Sequence, residues 1–423
     1  MADRAIALVD CIAFYASCER AFRPDLLRTP IVVLSNNDGC VIARSADARP
    51  YIKMGAPYFE IRETLRRHGI LAFSSNYELY GDLSQRVMSV IESLVPAVEV
   101  YSIDESFCDL TGISDRLQMG RDIRAQVLKL TGIPTGVGIA STKTLAKLAN
   151  AAAKKWQRQT GGVVDICDPE RRDRLLKVMP VDEVWGVGRR MNEHLTCIGI
   201  KTAWDLAQAD AWTLRKQYSV VVEKTARELR GLPCLDLEEA APPRQEICCS
   251  RAFGTRLLTI EPIRESVATY AARACEKLRA QRSLCKRVRV SIRTGMFNPD
   301  EAKYSKGVLC ELPYPTDDTR LVTRYALAGL DHVFREGYSY SKAEILLLDL
   351  RQRGEFTDDL FAEVQPEVSE RVMGVLDEIN QKWGRGTLRS ARIPIAPAWG
   401  MRREMKSPSF TTNLEELWAV KCR

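Results

Sequence analysis

The N-terminal part of the chain alternates short apolar runs with amphipathic stretches of helical spacing. Residues 5–9 are a continuous apolar run, which is typical of a buried strand. Residues 77–94 place Leu79, Leu83 and Val87 on one face, which predicts a helix with a single buried stripe. The two periods differ clearly, so strand and helix are predicted from local pattern alone.

Further elements complete this layer. They are a strand, turn and strand over 100–110, a helix over 113–130, a strand over 136–140, and a helix for which Ser141 is the predicted N-cap. The order strand, helix, two strands, helix, strand is that of a split βαβ, ferredoxin-like sheet. In that topology the first strand lies beside the strand pair, although about ninety residues separate them in sequence.

Three carboxylates stand at the ends of these strands. Asp10 closes the first apolar run, and Asp104 and Glu105 lie near the turn of 100–110. Mg²⁺ takes oxygen ligands, and two-metal sites hold ions roughly 3.5–4 Å apart, so converging acids predict such a site. Side chains of consecutive residues in a regular strand point to opposite sides of the sheet. Asp104 and Glu105 can therefore reach one metal site only if the backbone bends between them. A solvated hairpin tip is the alternative.

Lysines line the helix that follows the fourth strand. Lys147 and Lys154 are seven residues apart and share a face, while Lys143 begins the helix and Lys155 ends it. Such cations could neutralise a triphosphate beside the acids. Solubility of a surface helix explains them equally well.

From residue 180 the composition becomes helical. Residues 184–190 fit the turn of a helix-hairpin-helix, in which Gly186 and Gly188 let backbone N–H groups approach a phosphate closely and Arg189 adds charge. Residues 199–207 supply a second helix start of this kind. A simple packing turn between helices is the alternative.

Basic residues concentrate in a second predicted α+β unit. Residues 251–299 contain eleven Lys and Arg against three Glu, a net charge of +8, whereas the whole chain carries +7. Residues 288–293 alternate apolar and polar side chains, which predicts a strand with one wet face. An arginine-bearing face of this kind suggests contact with a nucleic-acid backbone, and a solvated surface is the alternative.

The last seventy residues break these patterns. Acids surround an isolated Leu360–Phe361 pair, a helix is predicted over 367–382, and Trp399 and Trp418 are predicted to be exposed. A segment of this composition is expected to mediate contacts rather than to add to a core.

Composition narrows the class of protein. At 423 residues, with 45% hydrophobic and 28% charged residues, the chain is expected to form two to four globular domains. There is no apolar run long enough to span a membrane, and no secretory signal is expected at the N-terminus. Thirteen Cys without C-x-x-C spacing, and only three His, argue against zinc and disulfides and favour a reducing cytosol.

Several motifs resemble one known family. Residues 10–15, 101–105 and 136–150 are similar to the motifs of Y-family, lesion-bypass DNA polymerases. The stretches 35–40, 74–80, 154–162 and 250–254 resemble more narrowly the UmuC-type branch, the subunit of bacterial DNA polymerase V and its plasmid-borne relatives. The similarity runs from near residue 5 to the C-terminal segment.

The resemblance implies roles for particular residues of this chain. The implied metal ligands for two Mg²⁺ ions are Asp10, Asp104, Glu105 and the Cys11 carbonyl. The implied nucleotide contacts are Phe14, Arg49, Lys154 and Tyr15, whose ring would be the steric gate against a ribose 2′-OH. The DNA contacts predicted from the glycine turn and the basic segment are Gly186, Gly188, Arg189, Arg251, Arg287, Arg289 and Arg293. After Arg49 the chain is one residue shorter than the family pattern.

The resemblance also implies an α+β, multidomain, right-hand polymerase with a ferredoxin-like palm. The implied parts are palm (1–15 and 72–165), small fingers (16–71), helical thumb with the helix-hairpin-helix (166–238), linker (239–246), α+β little finger (247–352) and partner-binding tail (353–423). The implied partners are primer-template DNA, dNTP, a processed UmuD-like dimer, the RecA filament, and a sliding clamp bound through Leu360 and Phe361. A cytoplasmic, nucleoid-associated bacterial protein is expected.

The predicted activity is error-prone translesion DNA synthesis by two-metal chemistry, in an SOS-type response to DNA damage. Two other readings stay open at this stage. A nucleotidyl cyclase could use the same acidic hairpin, but would not need the basic unit. A non-catalytic DNA-binding scaffold would need the basic unit, but not three acids. The sequence leaves open which lesions are bypassed, how faithful synthesis is, and which UmuD-like partner is required.

Overall fold

The structure, a computed structural model, describes residues 4–238, 242–352 and 365–417. Contacts between Cα atoms divide the chain into two units. The first unit contains Met1–Ser35, Gly39–Ala241 and Met405–Arg423, and the second contains Asn36–Asp38 and Pro242–Glu404. Each unit has its own hydrophobic core.

Twelve strands occur in the described residues. They are β1 (Ile6–Cys11), β2 (Ile31–Leu34), β3 (Val41–Arg44), β4 (Leu71–Ser74), β5 (Val98–Val100), β6 (Glu105–Asp109), β7 (Thr135–Ala140), β8 (Val163–Asp165), β9 (Ile247–Leu257), β10 (Ser283–Thr294), β11 (Ser305–Thr316) and β12 (Tyr340–Gln352). The predicted strand, turn and strand over 100–110 is confirmed as the β5–β6 hairpin, although β5 ends at Val100.

Fourteen α-helices occur in the same residues. They are α1 (Phe14–Ala21), α2 (Tyr58–Arg67), α3 (Tyr77–Glu92), α4 (Arg116–Thr131), α5 (Lys143–Lys155), α6 (Gln157–Thr160), α7 (Pro169–Val178), α8 (Arg189–Cys197), α9 (Ala203–Gln208), α10 (Ala211–Gln217), α11 (Val220–Leu229), α12 (Ile260–Ala280), α13 (Thr319–Val333) and α14 (Glu367–Trp383). No helix of the described ranges is long and apolar enough to cross a membrane.

The main sheet of the first unit has the strand order β5-β6-β1-β7-β8. Strand β1 is antiparallel to both β6 and β7, and β8 is parallel to β7. Without β8, this is the strand order of the predicted ferredoxin-like sheet. The topology therefore brings the end of β1 beside the start of β6.

The two faces of β1 meet different helices. Ala7 and Val9 belong to a core with α3 and α4, whereas Ile6 and Leu8 belong to a core with α5 and the helices α7–α11. Side chains alternate along a strand, so Asp10 continues the row of Ile6 and Leu8. Its carboxylate is thereby directed to the side on which α5 packs.

Helix α5 lies unusually close to β7. A Cβ atom at Gly138 would come within 2.1 Å of the Asn150 backbone nitrogen, so only glycine fits this position. The Asn150 amide donates to the carbonyls of Leu8 (3.3 Å) and Gly136 (2.8 Å), which ties the helix to two strands. The helix is capped by Thr142, one residue later than predicted, because the Thr142 hydroxyl accepts from the Leu145 N–H.

A smaller sheet of the first unit has the order β3-β2-β4, with β2 antiparallel to β3 and parallel to β4. Helix α2 packs on it through Ile61 and Leu65. The predicted boundary between fingers and palm, at residues 71 and 72, falls inside strand β4.

The second unit is a four-stranded antiparallel sheet of order β11-β10-β12-β9, packed with α12 and α13. In β10 the side chains of Val288, Val290 and Ile292 are buried, as the predicted alternation requires. Helix α14 joins this unit by an Arg279–Asp377 ion pair with an N–O distance of 2.6 Å.

The prediction that Trp399 is exposed is wrong. Its indole packs edge-on against Phe253 and Tyr270 in the core of the second unit, and its N–H donates to Glu265 at 3.2 Å. The described part of the C-terminal segment therefore adds to a core, because this apolar ring fills space that the sheet and α12 leave open. Trp418 lies outside the described residues.

Candidate active site

Asp10 and Glu105 face each other across the central strands. They are register partners in the antiparallel pair of β1 and β6, and their carboxyl groups are close enough for Glu105 to help raise the pKa of Asp10. Asp10 is buried and Glu105 is half-buried. Two carboxyl groups at this distance repel each other when both are ionised, so they require a shared proton or a nearby cation.

The backbone bends immediately before Glu105, as the predicted site requires. The Ser102 hydroxyl donates to the Asp104 carboxylate at 2.6 Å and accepts from the N–H groups of Asp104 and Glu105. The Asp104 carbonyl accepts from the Cys11 N–H at 2.8 Å, which fixes the bend against the end of β1. Regular strand alternation is thus broken where the two neighbouring acids stand.

Two lysines of α5 hold two of these acids. The Lys154 ammonium lies 2.5 Å from an Asp10 oxygen, and the Lys147 ammonium lies 2.8 Å from a Glu105 oxygen. The two lysines are two turns apart, and the close approach at Gly138 brings both over the end of β1. Lys143 instead pairs with Glu99, so the four lysines do not share one role.

The pKa values of the two facing acids are pushed apart. Burial raises the pKa of Asp10 to about 7, against the opposing charge of Lys154 and with a contribution from Glu105. Burial would also raise the pKa of Glu105, but the hydrogen bonds from Asp10 and Lys147 outweigh it and lower that pKa. A cation bound at the two carboxyl groups would favour their ionised forms.

The donor set fits a hard divalent cation. It offers two facing carboxylates, a third carboxylate at the bend, and backbone carbonyls, with oxygen as the only ligand atom. Within residues 4–238, 242–352 and 365–417, however, no three His, Cys, Asp or Glu side chains are already gathered as a metal cage. Lys154, Lys147 and the Ser102 hydroxyl hold Asp10, Glu105 and Asp104 respectively.

Lys147 is enclosed by aromatic rings as well as paired with Glu105. Its ammonium lies 4.4 Å from the ring centroid of Tyr101, 5.0 Å from Trp185 and 5.9 Å from Phe107. Such cation–π contacts fix the position of the ammonium. This cage could not be predicted from the sequence, because Trp185 lies far from Tyr101 and Lys147 along the chain, in the turn before α8.

Tyr15 stands beside the acids at the start of α1. Its ring stacks on Tyr80 with a centroid distance of 4.7 Å and meets Tyr77 edge-on at 5.8 Å. Burial raises the pKa of Tyr15 to about 12, with smaller contributions from Tyr77 and Asp104, so its hydroxyl stays protonated at neutral pH. Ala13, which caps α1, has the left-handed φ of 48° that turns the chain from β1 into this helix.

Comparison with known proteins identifies the family. Residues 9–151 match the model of the impB/mucB/samB family, residues 244–360 match the C-terminal domain of that family, and residues 370–420 match a domain of unknown function, DUF4113. Protein UmuC of Salmonella typhimurium strain LT2 is 51% identical over 98% of this chain and all of its own length. The chain belongs to the UmuC-type Y-family polymerases.

Another relative and a solved structure support the same family and fold. Protein ImpB of Salmonella typhimurium is 48% identical over 97% of the chain and 98% of its own length. A solved Y-family DNA polymerase chimera of Dbh and Dpo4 matches 82% of the chain and all of its own chain, with a TM-score of 0.65 and 19% identity. That structure supports the predicted α+β polymerase fold, and the family favours an enzyme over the non-catalytic scaffold.

The thumb turn predicted in this polymerase precedes α8. Gly186 has a φ of 94°, a left-handed conformation that favours glycine, and Gly188 stands at the N-cap of α8. Arg189 is the first residue of α8, and its side chain is largely exposed. Within this turn the Val187 N–H donates to the Val184 carbonyl at 3.0 Å, and the Arg189 guanidinium lies 3.8 Å from a Glu193 oxygen.

Three arginines of β10 lie on the wet face of the second unit. Arg287, Arg289 and Arg293 are exposed, between the buried Val288, Val290 and Ile292. In the described part of the chain, none of the three is paired with a carboxylate. Arg251 of β9 is also exposed and contacts the Met401 sulfur at 3.8 Å.

The remaining predicted residues have different surroundings. The Phe14 side chain is buried, so its ring belongs to the core of the first unit. Arg49 follows a short 3₁₀ turn and is exposed. The predicted clamp-binding residues Leu360 and Phe361 lie outside the described residues.

Proposed function

We propose that this Y-family enzyme, an error-prone translesion DNA polymerase, adds dNTPs to a primer 3′-OH at Asp10, Asp104 and Glu105. The observation that carries this assignment is the facing pair of Asp10 and Glu105 across β1 and β6, with each acid paired to a lysine of α5. Two facing carboxyl groups in a partly buried site are suited to bind a metal ion, because its charge would offset their mutual repulsion.

The metal would be Mg²⁺, as two ions, held by Asp10, Asp104, Glu105 and the Cys11 carbonyl. Metal bound there would supply positive charge that lowers the pKa of the primer hydroxyl and stabilises the negative charge on the transferred phosphate and the leaving pyrophosphate. Asp104 would turn from the Ser102 hydroxyl towards the site.

Lys154 would have two partners in turn, whereas Lys147 would keep one. Without nucleotide they neutralise Asp10 and Glu105, and with nucleotide Lys154 would move to the triphosphate. Lys147 is kept near Glu105 by its aromatic cage, so we expect it to remain there. Arg49, exposed on the fingers, would be a second contact to the phosphates, and Phe14 would contribute its backbone only.

Tyr15 would be the steric gate for the sugar. What supports this role is the position of its ring beside the acidic bend, backed by Tyr80 on one face. A ring fixed in this way would leave no room for a ribose 2′-OH.

DNA contacts would come from both units. The thumb turn at Gly186, Gly188 and Arg189 would bind one phosphate group by backbone N–H, and Arg251, Arg287, Arg289 and Arg293 would follow the duplex backbone. The parts of a right hand would then be palm, fingers, thumb and little finger over the ranges predicted from the sequence.

The proposed partners are a processed UmuD-like dimer, a RecA filament and the sliding clamp. The clamp contact would be made by Leu360 and Phe361 in an apolar pocket of the clamp. These partners follow from the family alone, and each is open to a binding measurement with the purified chain.

Substitution of Asp104 by Asn tests the assignment. The variant removes one metal-binding charge and should lower primer extension by at least about a thousandfold, whereas duplex affinity should change by less than about twofold. Extension is measured with Mg²⁺ and with the accessory proteins present, and duplex affinity by fluorescence anisotropy.

The matched control is Asp115→Asn, the same chemical change at the exposed N-cap of α4, where Asn caps as well as Asp. It should leave extension unchanged. Full extension by the Asp104→Asn variant would reject the metal site proposed here.

A further inference from the structure

The C-terminal residues 405–417, here called the C-terminal strap, return to the first unit. Ser74 at the end of β4 donates its N–H to the Met405 carbonyl at 3.0 Å, and its hydroxyl accepts from the Met405 N–H at 2.9 Å. Phe410 stacks on Phe22, the C-cap of α1, with a centroid distance of 4.8 Å. The strap therefore contacts the end of α1 and the strand that leads into α3.

A buried asparagine joins the strap to α3. Asn76 is the N-cap of α3 and is completely buried. Its side-chain amide donates to the carbonyl of Ser407 at 3.0 Å and to the Ser407 hydroxyl at 3.2 Å, and its oxygen accepts from Leu79 N–H. The first turn of α3 is thus fixed by the strap, and that turn carries Tyr77 and Tyr80.

A second buried contact joins the strap to α1. Glu19, on the turn of α1 that follows Tyr15, accepts from the Tyr80 hydroxyl at 2.6 Å and from the Ser407 hydroxyl at 3.1 Å. Glu19 and Tyr80 are both buried. The Tyr80 ring is therefore fixed at its hydroxyl end by Glu19 and packs by its face on Tyr15.

We propose that Ser407 and Asn76 are positioning residues for sugar discrimination, which hold Tyr80 and, through it, the Tyr15 ring. The inference rests on the proposed role of Tyr15 as the steric gate. It gives a function to a segment inside the matched domain of unknown function. Because displacements of about 1 Å near a reacting centre change rates strongly, a gate whose backing ring is loosened should admit a 2′-OH more easily.

The test compares insertion of a ribonucleotide with insertion of the matching deoxyribonucleotide by the full chain and its accessory proteins. Ser407→Ala and Asn76→Ala should each raise kcat/KM for the ribonucleotide by about 3- to 10-fold, while kcat/KM for the deoxyribonucleotide changes by less than about twofold. The gain should come mainly from a lower KM for the ribonucleotide. If Asn76→Ala does not fold, Ser407→Ala carries the test.

Two further variants separate the possible outcomes. Leu414→Ala alters an exposed strap residue and should leave selectivity unchanged. In a Tyr15→Ala background, which should itself admit ribonucleotides, Ser407→Ala should have no further effect, since the two changes act through one ring.

Three results would overturn the proposal. If Tyr15→Ala admits ribonucleotides but Ser407→Ala and Asn76→Ala leave selectivity unchanged, the positioning role of the strap is rejected and the gate role of Tyr15 is kept. Equal loss of activity with both nucleotides would mean that the strap only stabilises the fold. A Tyr15→Ala variant that still excludes ribonucleotides would reject the gate itself, and with it this inference.

Discussion

At the scale of single residues, burial determines the properties of two carboxyl groups, those of Asp10 and Glu19. Asp10 is predicted from its place after an apolar run, and the structure adds that burial lifts its pKa to about 7. Glu19 has no sequence signal of its own, since an acid in a helix start is ordinarily a surface residue. Its burial beneath Tyr80 depends on the strap, which arrives from almost four hundred residues away.

Glu19 provides a pH-dependent prediction. Burial raises the pKa of its carboxyl group, and the bonds from Tyr80 and Ser407 oppose this only in part. The folded state therefore binds its proton more tightly than the unfolded state does, so stability falls as the pH rises above the ordinary Glu value. Glu19→Gln removes this loss while keeping an acceptor oxygen, so the variant should gain stability over the parent as the pH rises.

The free energy of unfolding in urea, measured at several pH values from 5 to 8, checks this prediction. Glu92→Gln is the control, because Glu92 is exposed at the end of α3. The free energy of unfolding of Glu92→Gln should differ from that of the parent by the same amount at every pH. A pH-independent difference for Glu19→Gln would contradict the prediction.

At the scale of elements, the alternation along β10 is confirmed by the structure. Buried Val288 and Val290 lie under α12 and α13, which leaves Arg287, Arg289 and Arg293 to the wet face. Strand and helix periods are local properties, so these elements were predictable. The approach of α5 to β7 at Gly138 was not, because it depends on which helix packs there.

Replacement of Arg287, Arg289 and Arg293 by Gln should weaken duplex binding and reduce its salt dependence. Each lost phosphate contact should reduce the slope of log K against log salt concentration by about 0.9. Binding is measured by anisotropy between 50 and 200 mM salt, the range in which counterion release is pronounced.

A control with the same change in net charge is available in the second unit. Arg256, Arg264 and Arg320 are held by Glu301, Asp331 and Asp318 respectively, so their replacement by Gln should alter the slope much less. Equal slopes for the two triple variants would mean that β10 makes no special contact with DNA.

The whole molecule has two units with separate cores. Ile91 of α3 belongs to the core of the first unit, and Leu278 of α12 to that of the second. Chains of this size with separate cores commonly unfold in more than one step. The sequence predicted separate α+β parts but not that residues 405–417 belong with the first unit.

Calorimetry of the full chain should therefore show two unfolding transitions. Ile91→Ala and Leu278→Ala each create a cavity worth about 2–5 kcal/mol, so each should lower the temperature of a different transition by several degrees. A single transition that both variants lower equally would contradict this prediction. Val375→Ala, at an exposed position of α14, should change neither transition.

The sequence by itself determined the elements and the chemical types at the site. Periodicity defined the strands and helices, the acids marked strand ends, and the family motifs named the residues around them. The reason is that a residue's neighbours along the chain fix its backbone period and much of its exposure.

Only the tertiary structure decided which residues from distant parts of the chain come into contact. The contacts of Lys147 with Tyr101 and Trp185 and the burial of Trp399 both join distant segments. Local pattern cannot encode such contacts, because they depend on how whole elements pack and on which gaps remain to be filled. The strap is the clearest case. Its composition predicts a segment that mediates contacts, and only its contacts with α1 and α3 show where it belongs in the fold.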